Sequence, residues 1–490
     1  MTPPAKKTAR AVPTRSARKR VGSAPPKREH LTPAQRVERG RAARKQAPRR
    51  GLAVWEPAPD RGDPVAVFEQ QASTRVPELI PIRHGRMLAS PFAFYRGAAA
   101  IMAADLALAP TSGLTVQACG DAHLSNFGVF GSPDRSLVFD INDFDETLPG
   151  PWEWDVKRLA ASLAIAGRHN GMSDDERRTV VEGSAATYRS AVAEYATMTN
   201  LDLWYSRATV EAGLPYLRTM LGKKGVAQAT KVVRKARSRT SAQGLARLTH
   251  VVDGELRIIH DPPLVVPTDE LVPAPQVAAL EDQVHAMVNA YRSTLPNDRR
   301  HLLDGYRYVH SARKVVGVGS VGTRAWIVLM TGRDEQDPLL LQAKEAQPSV
   351  LEPFAGPSAF QQHGERVVQG QRLMQASSDI LLGWLRSRGL DGEQRDLYIR
   401  QLRDWKGSWD PEGMTPAILG GYGQLCARTL ARAHARSGDR IAIASYLGRS
   451  RRFDRAIADF SEAYADQNDR DYAALHEAVR AGRCEARTGV

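Results

Sequence analysis

Residues 314–346 read KVVGVGSVGTRAWIVLMTGRDEQDPLLLQAKEA, and no other stretch narrows the possible folds as much. Gly317, Gly319 and Gly322 match a GxGxxG pattern, which suits loops that bring the backbone close to phosphates. A dinucleotide-binding loop of that pattern must open a helix. Here the loop runs instead into TRAWIVLM, rich in β-branched and apolar residues, then through the polar turn TGRDEQD into a second apolar run, PLLLQAKEA. The spacing therefore predicts strand, loop, strand: a hairpin that covers a nucleotide. Lys344 follows Gly322 by 22 positions, near the end of the next strand, where its ammonium would reach α and β phosphates. The plainer reading is a surface lysine at a strand end.

A second cluster lies far upstream. Residues 118–127, ACGDAHLSNF, place Asp121, His123 and Asn126 within six positions. Phosphoryl transfer needs an acid to orient or deprotonate the acceptor hydroxyl, and oxygen ligands for the Mg²⁺ that neutralises the phosphates. Asp121 supplies the first and Asn126 part of the second. Asp143, in NDFDE after a short apolar strand, offers a further carboxylate, and the 17 residues from Asn126 allow a hairpin that brings the ends together. An EF-hand is excluded because, counted from Asp140, Phe144 and Asp145 occupy the fifth and sixth positions. His123 has no HxxxH or HxH partner, so its ring reads as support for the loop beside Asp121 rather than as a transition-metal ligand. Taken singly, each of these residues is also an ordinary polar turn residue.

Organisation follows from pattern and charge. Of 68 basic and 54 acidic residues, the first 50 positions hold 16 and 2, so the rest of the chain is balanced at 52 of each sign. That tail has few large apolar groups, so residues 1–50 are expected to be disordered, with weak attraction to a polyanion. No run of about 18 apolar residues exists and no secretory signal is seen. Cys119, Cys426 and Cys484 lie far apart. A cytoplasmic protein without membrane contact is the expectation. Helical patterns dominate 51–310, including an amphipathic helix over 153–171; β-rich character marks 311–375, and helix returns over 376–490.

The motifs together carry a resemblance. CGDAHLSNFG resembles the HGDxxxxN catalytic loop of aminoglycoside and choline phosphotransferases, with Cys119 in place of the first His, and FDINDFDE resembles their metal-binding turn. With KVVGVGSVGTR, LQAKEA, RVVQGQRLMQASSD and YIRQLRDWKGS, residues 55–475 resemble the bacterial family called domain of unknown function 2252. The resemblance implies an α+β, protein-kinase-like bilobal fold: a mostly helical large lobe and a small β-rich nucleotide lobe. The order is reversed relative to kinases, since Gly317 follows Asp121 by 196 positions, so the expected fold is circularly permuted.

Carried over, the resemblance makes Asp121 the catalytic base or acceptor-orienting acid, with His123 beside it in the catalytic set, and makes Asn126 and Asp143 Mg²⁺ ligands, with Asp145 as the alternative carboxylate. Gly317, Gly319, Ser320, Gly322 and Lys344 would hold ATP, and Glu365 would pair with Lys344, Glu345 and Glu352 being alternatives. Asp155 would brace the catalytic loop through backbone N–H groups, its other reading being a plain carboxylate at a helix start. The implied function is ATP- and Mg²⁺-dependent transfer of a phosphoryl group to a hydroxyl of a small molecule. The alternatives are a non-catalytic nucleotide-binding scaffold and a nucleotidyl transferase on the same fold.

Overall fold

A computed structural model describes residues 30–402 and 404–490, leaving out the side chains of 214–224 and 228. Its β-rich part is a six-stranded antiparallel sheet. In spatial order the strands are Gly383–Arg388, Gln394–Gln401, Pro338–Ala346, Ala325–Thr331, Arg307–Lys314 and Val265–Pro267. The glycine loop joins Arg307–Lys314 to Ala325–Thr331, as the pattern predicted, and TGRDEQD turns the next hairpin. Alternation along the strands sorts the two faces. Val328, Leu341, Ala343, Leu397 and Ile399 pack with Tyr291 and Leu295 into one apolar core. Lys344, paired across the ladder with Ala325 and Tyr398, belongs to the opposite face.

The β-rich unit is larger than 311–375. Strands Gly383–Arg388 and Gln394–Gln401 lie in the range expected to be helical, and helix Val277–Ser293, expected in the large lobe, covers the apolar face of the sheet. GWLRSR and QRDLYIRQ carry too many polar residues to announce strands, because one is an edge strand and the other directs Tyr398 and Arg400 toward polar partners.

The tail is corrected in part. Residues 1–29 lie outside the described residues, but Pro33–Gln46 is a helix rather than a disordered segment. Thr32 and Gln35 form a reciprocal cap at its start, with Pro33 in the first turn. Gly40 explains how so polar a helix finds a partner: a Cβ there would stand 2.1 Å from Ala442 O, so only glycine allows the close approach to helix Arg440–Leu447. Tyr446 Oη donates to Ala47 O at 2.9 Å and Arg44 Nε to Tyr446 O at 2.8 Å. Backbone contact through small residues replaces the large apolar groups that composition alone looks for.

Helix Trp152–His169 runs through the centre of the helical lobe, between Asp174–Tyr195, Pro416–Ser437 and Arg452–Arg480. Trp152 is fully buried and stacks on Tyr188 with ring centroids 5.7 Å apart. The helix is so enclosed that Lys157 is 1% exposed, its ammonium 4.3 Å from the centre of the Phe460 ring. Burial pushes the Lys157 pKa down to about 8, against the pull of Glu153. A lowered lysine takes up its proton more readily unfolded than folded, so it favours unfolding below about pH 8, and that penalty disappears as pH rises toward the ordinary value of 10.5. Lys157→Met should therefore be more stable than wild type at pH 7, by on the order of 2 kcal/mol. The gap should narrow above pH 8 and close only past the ordinary lysine value of 10.5 in urea titrations; a gap independent of pH would contradict a charged, desolvated Lys157. Among the described residues no helix is long and apolar enough to cross a membrane.

Candidate active site

The loop after strand Thr115–Ala118 is built on Asp155. This carboxylate, 1% exposed in the first turn of Trp152–His169, accepts the backbone N–H of Cys119 at 2.6 Å and of Gly120 at 2.9 Å. His434 Nε2 lies 3.1 Å from it, and the other ring nitrogen meets Tyr188 Oη at 2.8 Å. Gly120 has φ +81°, and a Cβ there would sit 2.4 Å from Glu146 O, so the turn admits only glycine. The structure gives Asp155 the bracing contacts rather than the plain helix-start role. Cys119, in the position of the first histidine, is buried, and desolvation drives its thiol pKa well up.

Asp121 comes next. Its Oδ1 accepts from Arg158 Nε at 2.5 Å, while Oδ2 lies 3.7 Å from His123 Nε2. Arg158, from the central helix, lies 4.4 Å from the Tyr95 ring centre and donates to Tyr95 O at 3.0 Å, so its guanidinium is held from several sides and fixes one Asp121 oxygen. Sequence reasoning missed Arg158, because an arginine on an amphipathic helix normally reads as solvated. His123 is 3% exposed, and burial pushes its pKa down to about 3 despite Asp121. It is a neutral imidazole at pH 7 and cannot supply a proton there. Asn126 donates its amide to Asp121 O at 2.6 Å, which leaves Oδ1 as the atom it can offer a cation.

The acidic turn is tied to this loop by Asn142 N, which donates to Asn126 O at 2.8 Å. Asp143 and Asp145 lie deep, yet keep 32% and 26% of their side-chain area open to the adjoining cavity. Lys344 bonds Asp145 directly, and its Nζ is 3.7 Å from Asp143 Oδ2. Tyr398 Oη donates to Asp145 Oδ1 at 2.7 Å. Burial and the neighbouring Asp145 raise the Asp143 pKa; burial would also raise Asp145, but Lys344 and Tyr398 more than reverse it.

Glu365 does not pair with Lys344. Helix His363–Met374 turns Arg366 inward instead, 1% exposed and donating to Asp145 O, Thr147 O and Gln347 O at 2.7–2.8 Å. Adjacent helical positions point about 100° apart, so Glu365 and Arg366 cannot both face the turn. Of the alternatives, Glu345 lies against Arg324 and Arg395, and Glu352 caps Ser349 N.

A cavity of about 410 Å³ joins the two motifs. Asp121, His123, Asn126, Asp143 and Asp145 line it, and so do Gly317, Gly319 and Ser320. Gly322 and Lys344 lie behind its surface. The glycine loop is anchored to the helical lobe: Val76 N donates to Gly322 O at 2.8 Å, and Arg75 and Arg86 hold Val321 O and Gly317 O. Gly319 passes so close to Arg96 that a Cβ would stand 3.0 Å from Arg96 O. Three arginines absent from the sequence reading, Arg75, Arg83 and Arg96, also line the cavity. A separate apolar cavity of about 360 Å³, between helix Val277–Ser293 and the far face of the sheet, contains none of the candidate site residues.

Among the described residues, no group of three or more His, Cys, Asp or Glu is arranged to hold a metal ion. Asp145 has one oxygen on Lys344 and the other on Tyr398, which leaves Asn126 and Asp143 as the hard oxygen donors lining the cavity; such a pair fits Mg²⁺, which keeps several waters and takes its remaining ligands from substrate phosphates. No curated protein and no solved structure matches the chain. A family model described as "Uncharacterized protein conserved in bacteria (DUF2252)" matches residues 75–478, a span containing the 118–127 loop, the acidic turn, the glycine loop and Lys344. The chain therefore belongs to the DUF2252 family of bacterial proteins.

Proposed function

We propose that the protein is an ATP- and Mg²⁺-dependent phosphotransferase with a bilobal, kinase-like fold, circularly permuted in the chain, acting on a hydroxyl of a small molecule. One observation carries this reading: the glycine loop, encoded 196 positions after Asp121, lines the same cavity as Asp121, and Lys344 bonds the acidic turn. Strand connectivity supports it. A glycine loop between two antiparallel strands, a lysine on the following strand, and a helix after that strand follow one another as in kinases. Asp155 holding the loop backbone, and Asn126 five positions after Asp121, agree with the same plan.

The roles follow from the contacts. Asp121, with one oxygen fixed by Arg158, would accept the proton of the acceptor hydroxyl through the other. Neutral His123 would pack beside it. Asn126 and Asp143 would hold Mg²⁺, whose chemistry is to neutralise phosphate charge as it develops. The backbone of 317–322 would cover the phosphates, with Lys344 keeping Asp145 and Asp143 in register.

The test is nucleotide binding and slow hydrolysis, with and without Mg²⁺, for wild type, Asp121→Asn, Asp143→Ala and Lys344→Ala. Asp143→Ala should weaken Mg²⁺-dependent ATP binding by about tenfold or more, while Mg²⁺-free binding changes little. If all four proteins bind ATP alike and wild type turns nothing over, the enzyme reading fails. If Lys344→Ala alone behaves as wild type, the permuted nucleotide lobe falls and the catalytic loop survives.

A further inference from the structure

Apart from Arg83, the buried arginines among the described residues, Arg158, Arg177, Arg366 and Arg432, each have a carboxylate within 4.0 Å, although Arg366 and Arg432 also keep nitrogens without a hydrogen bond. Arg61 is forked between Asp105 and Asp471, with bonds of 2.7–2.9 Å, and Arg158 holds Asp121. The three arginines of the site cavity are different. Arg83 is 1% exposed, yet its Nε and Nη1 have no hydrogen-bond partner; Nη2 reaches Gln71 Oε1 at 2.7 Å and Gly97 O at 3.4 Å, and the guanidinium carbon lies 5.2 Å from the centre of the Phe68 ring. The Nε atoms of Arg75 and Arg96 are also buried without partners. Among the described residues, no carboxylate lies within ion-pair distance, 4.0 Å, of any of the three. Burial lowers all three pKa values, Arg75 to about 10. Glu146 and Glu345 also line the cavity and act with Asp145 on Arg75, and Asp121 acts on Arg96, but no carboxylate among the described residues acts on the buried Arg83; holding its desolvated guanidinium without a paired charge is costly unless a ligand brings one.

Their position indicates which ligand. Asp121 is the leading carboxylate acting on Arg96, and Arg83 reaches Gly97 O next to it, so these two border the Asp121 end of the cavity; Arg75 instead holds Val321 O of the glycine loop and faces Glu146, Glu345 and Asp145. Asn126 and Asp143, the cation-binding side, line the same cavity. Choline or an aminoglycoside would set a cation against this arginine wall, so the resemblance to kinases of cationic acceptors does not extend to the acceptor.

We propose that the acceptor is itself an anion: a hydroxy compound bearing a phosphate or carboxylate group, which Arg83 and Arg96 hold while its hydroxyl meets Asp121. The proposal rests on the phosphotransfer reading above. In the step it implies, the acceptor oxygen bonds to the γ-phosphorus of ATP and the bond to the β–γ bridging oxygen breaks. ADP leaves with that electron pair, and the hydroxyl proton passes to Asp121. Guanidinium forks suit both oxyanions, since each offers paired oxygens to paired N–H groups.

The experiment is calorimetric titration of the full chain with inorganic phosphate and, separately, with malonate, in the absence and presence of saturating Mg²⁺ and a non-hydrolysable ATP analogue. At least one anion should bind in both conditions, with affinities differing by less than about threefold, as two separate subsites require. Arg83→Met and Arg96→Gln should each weaken that binding by about tenfold or more while the analogue binds as before. Arg96 is partly exposed, so its variant keeps the test alive should Arg83→Met unfold. Phosphate alone or malonate alone would identify the acceptor's charged group. Competition between anion and analogue, with both weakened by Arg96→Gln, would overturn the proposal by assigning the arginines to the nucleotide's own phosphates. Binding of neither anion would overturn it too. If the analogue fails to bind while phosphate still does so through Arg96, the phosphotransfer reading is what fails and the anion site stands.

Discussion

Asp121→Asn is expected to lower turnover about a thousandfold, from within the range set by removal of a general base. The substitution keeps the shape of the side chain and an oxygen for Arg158 Nε, so the loop braced by Asp155 stays in place. It removes the negative charge that would accept the hydroxyl proton. The measurement is ATP hydrolysis under saturating nucleotide, with kcat and KM separated, since hydrolysis with water as acceptor needs no knowledge of the natural acceptor. A fall in kcat at unchanged nucleotide affinity is the signature of a group acting only in the transition state. Unchanged kcat would remove Asp121 from the chemistry. Equal loss of nucleotide binding would show instead that the change disturbed the cavity through Arg158, and circular dichroism with thermal unfolding separates that case.

Asp155→Ala is expected to cost about 4 kcal/mol of folding stability, the magnitude seen when one partner of a buried charged network is deleted. Two backbone N–H groups, of Cys119 and Gly120, would lose their acceptor, and the His434 ring its partner, with Cys119, Asp155 and His434 closed to water and Gly120 partly so. Asp155→Asn keeps one acceptor oxygen and should lose about half as much. Equilibrium urea unfolding of both variants decides it. A loss below about 1 kcal/mol for Asp155→Ala would mean that the loop holds its shape without the brace. Because the loop carries Asp121, the same variant should also lose hydrolysis in whatever fraction remains folded, so activity and stability should fall together here and separately in Asp121→Asn.

Local patterns announced the elements around the site well, for physical reasons that can be named. Glycines at 317, 319 and 322 and the β-branched run after them could only be strand, loop and strand, since a helix would waste both. Asp121 to Asn126, followed by an apolar strand and NDFDE, required a loop, a hairpin and a turn, and the ladder of Phe127–Gly131 with Leu137–Ile141 joins them. Harder to read were elements whose partners are distant. The strand Gln394–Gln401 is polar because Tyr398 and Arg400 bond Asp145 and the backbone at Asn142. The helix Pro33–Gln46 is poor in apolar groups because Gly40 packs backbone to backbone on residues some 400 positions away.

The division is clearest at the charged residues. Spacing along the chain was enough to nominate Asp121, Asn126, Asp143 and Lys344, because the chemistry of phosphoryl transfer demands those groups at short, characteristic intervals. It was not enough to choose between Glu365 and Arg366, neighbours on one helix, since that choice depends on which way the helix is rotated against the sheet; the packing gave Arg366 the inward position. Arg158, Arg75, Arg83 and Arg96 carried no local signal at all. An isolated arginine looks the same in a sequence whether water or a closed cavity surrounds it, and only the fold, by removing the water, turns an ordinary side chain into one that orients an acid or awaits an anion.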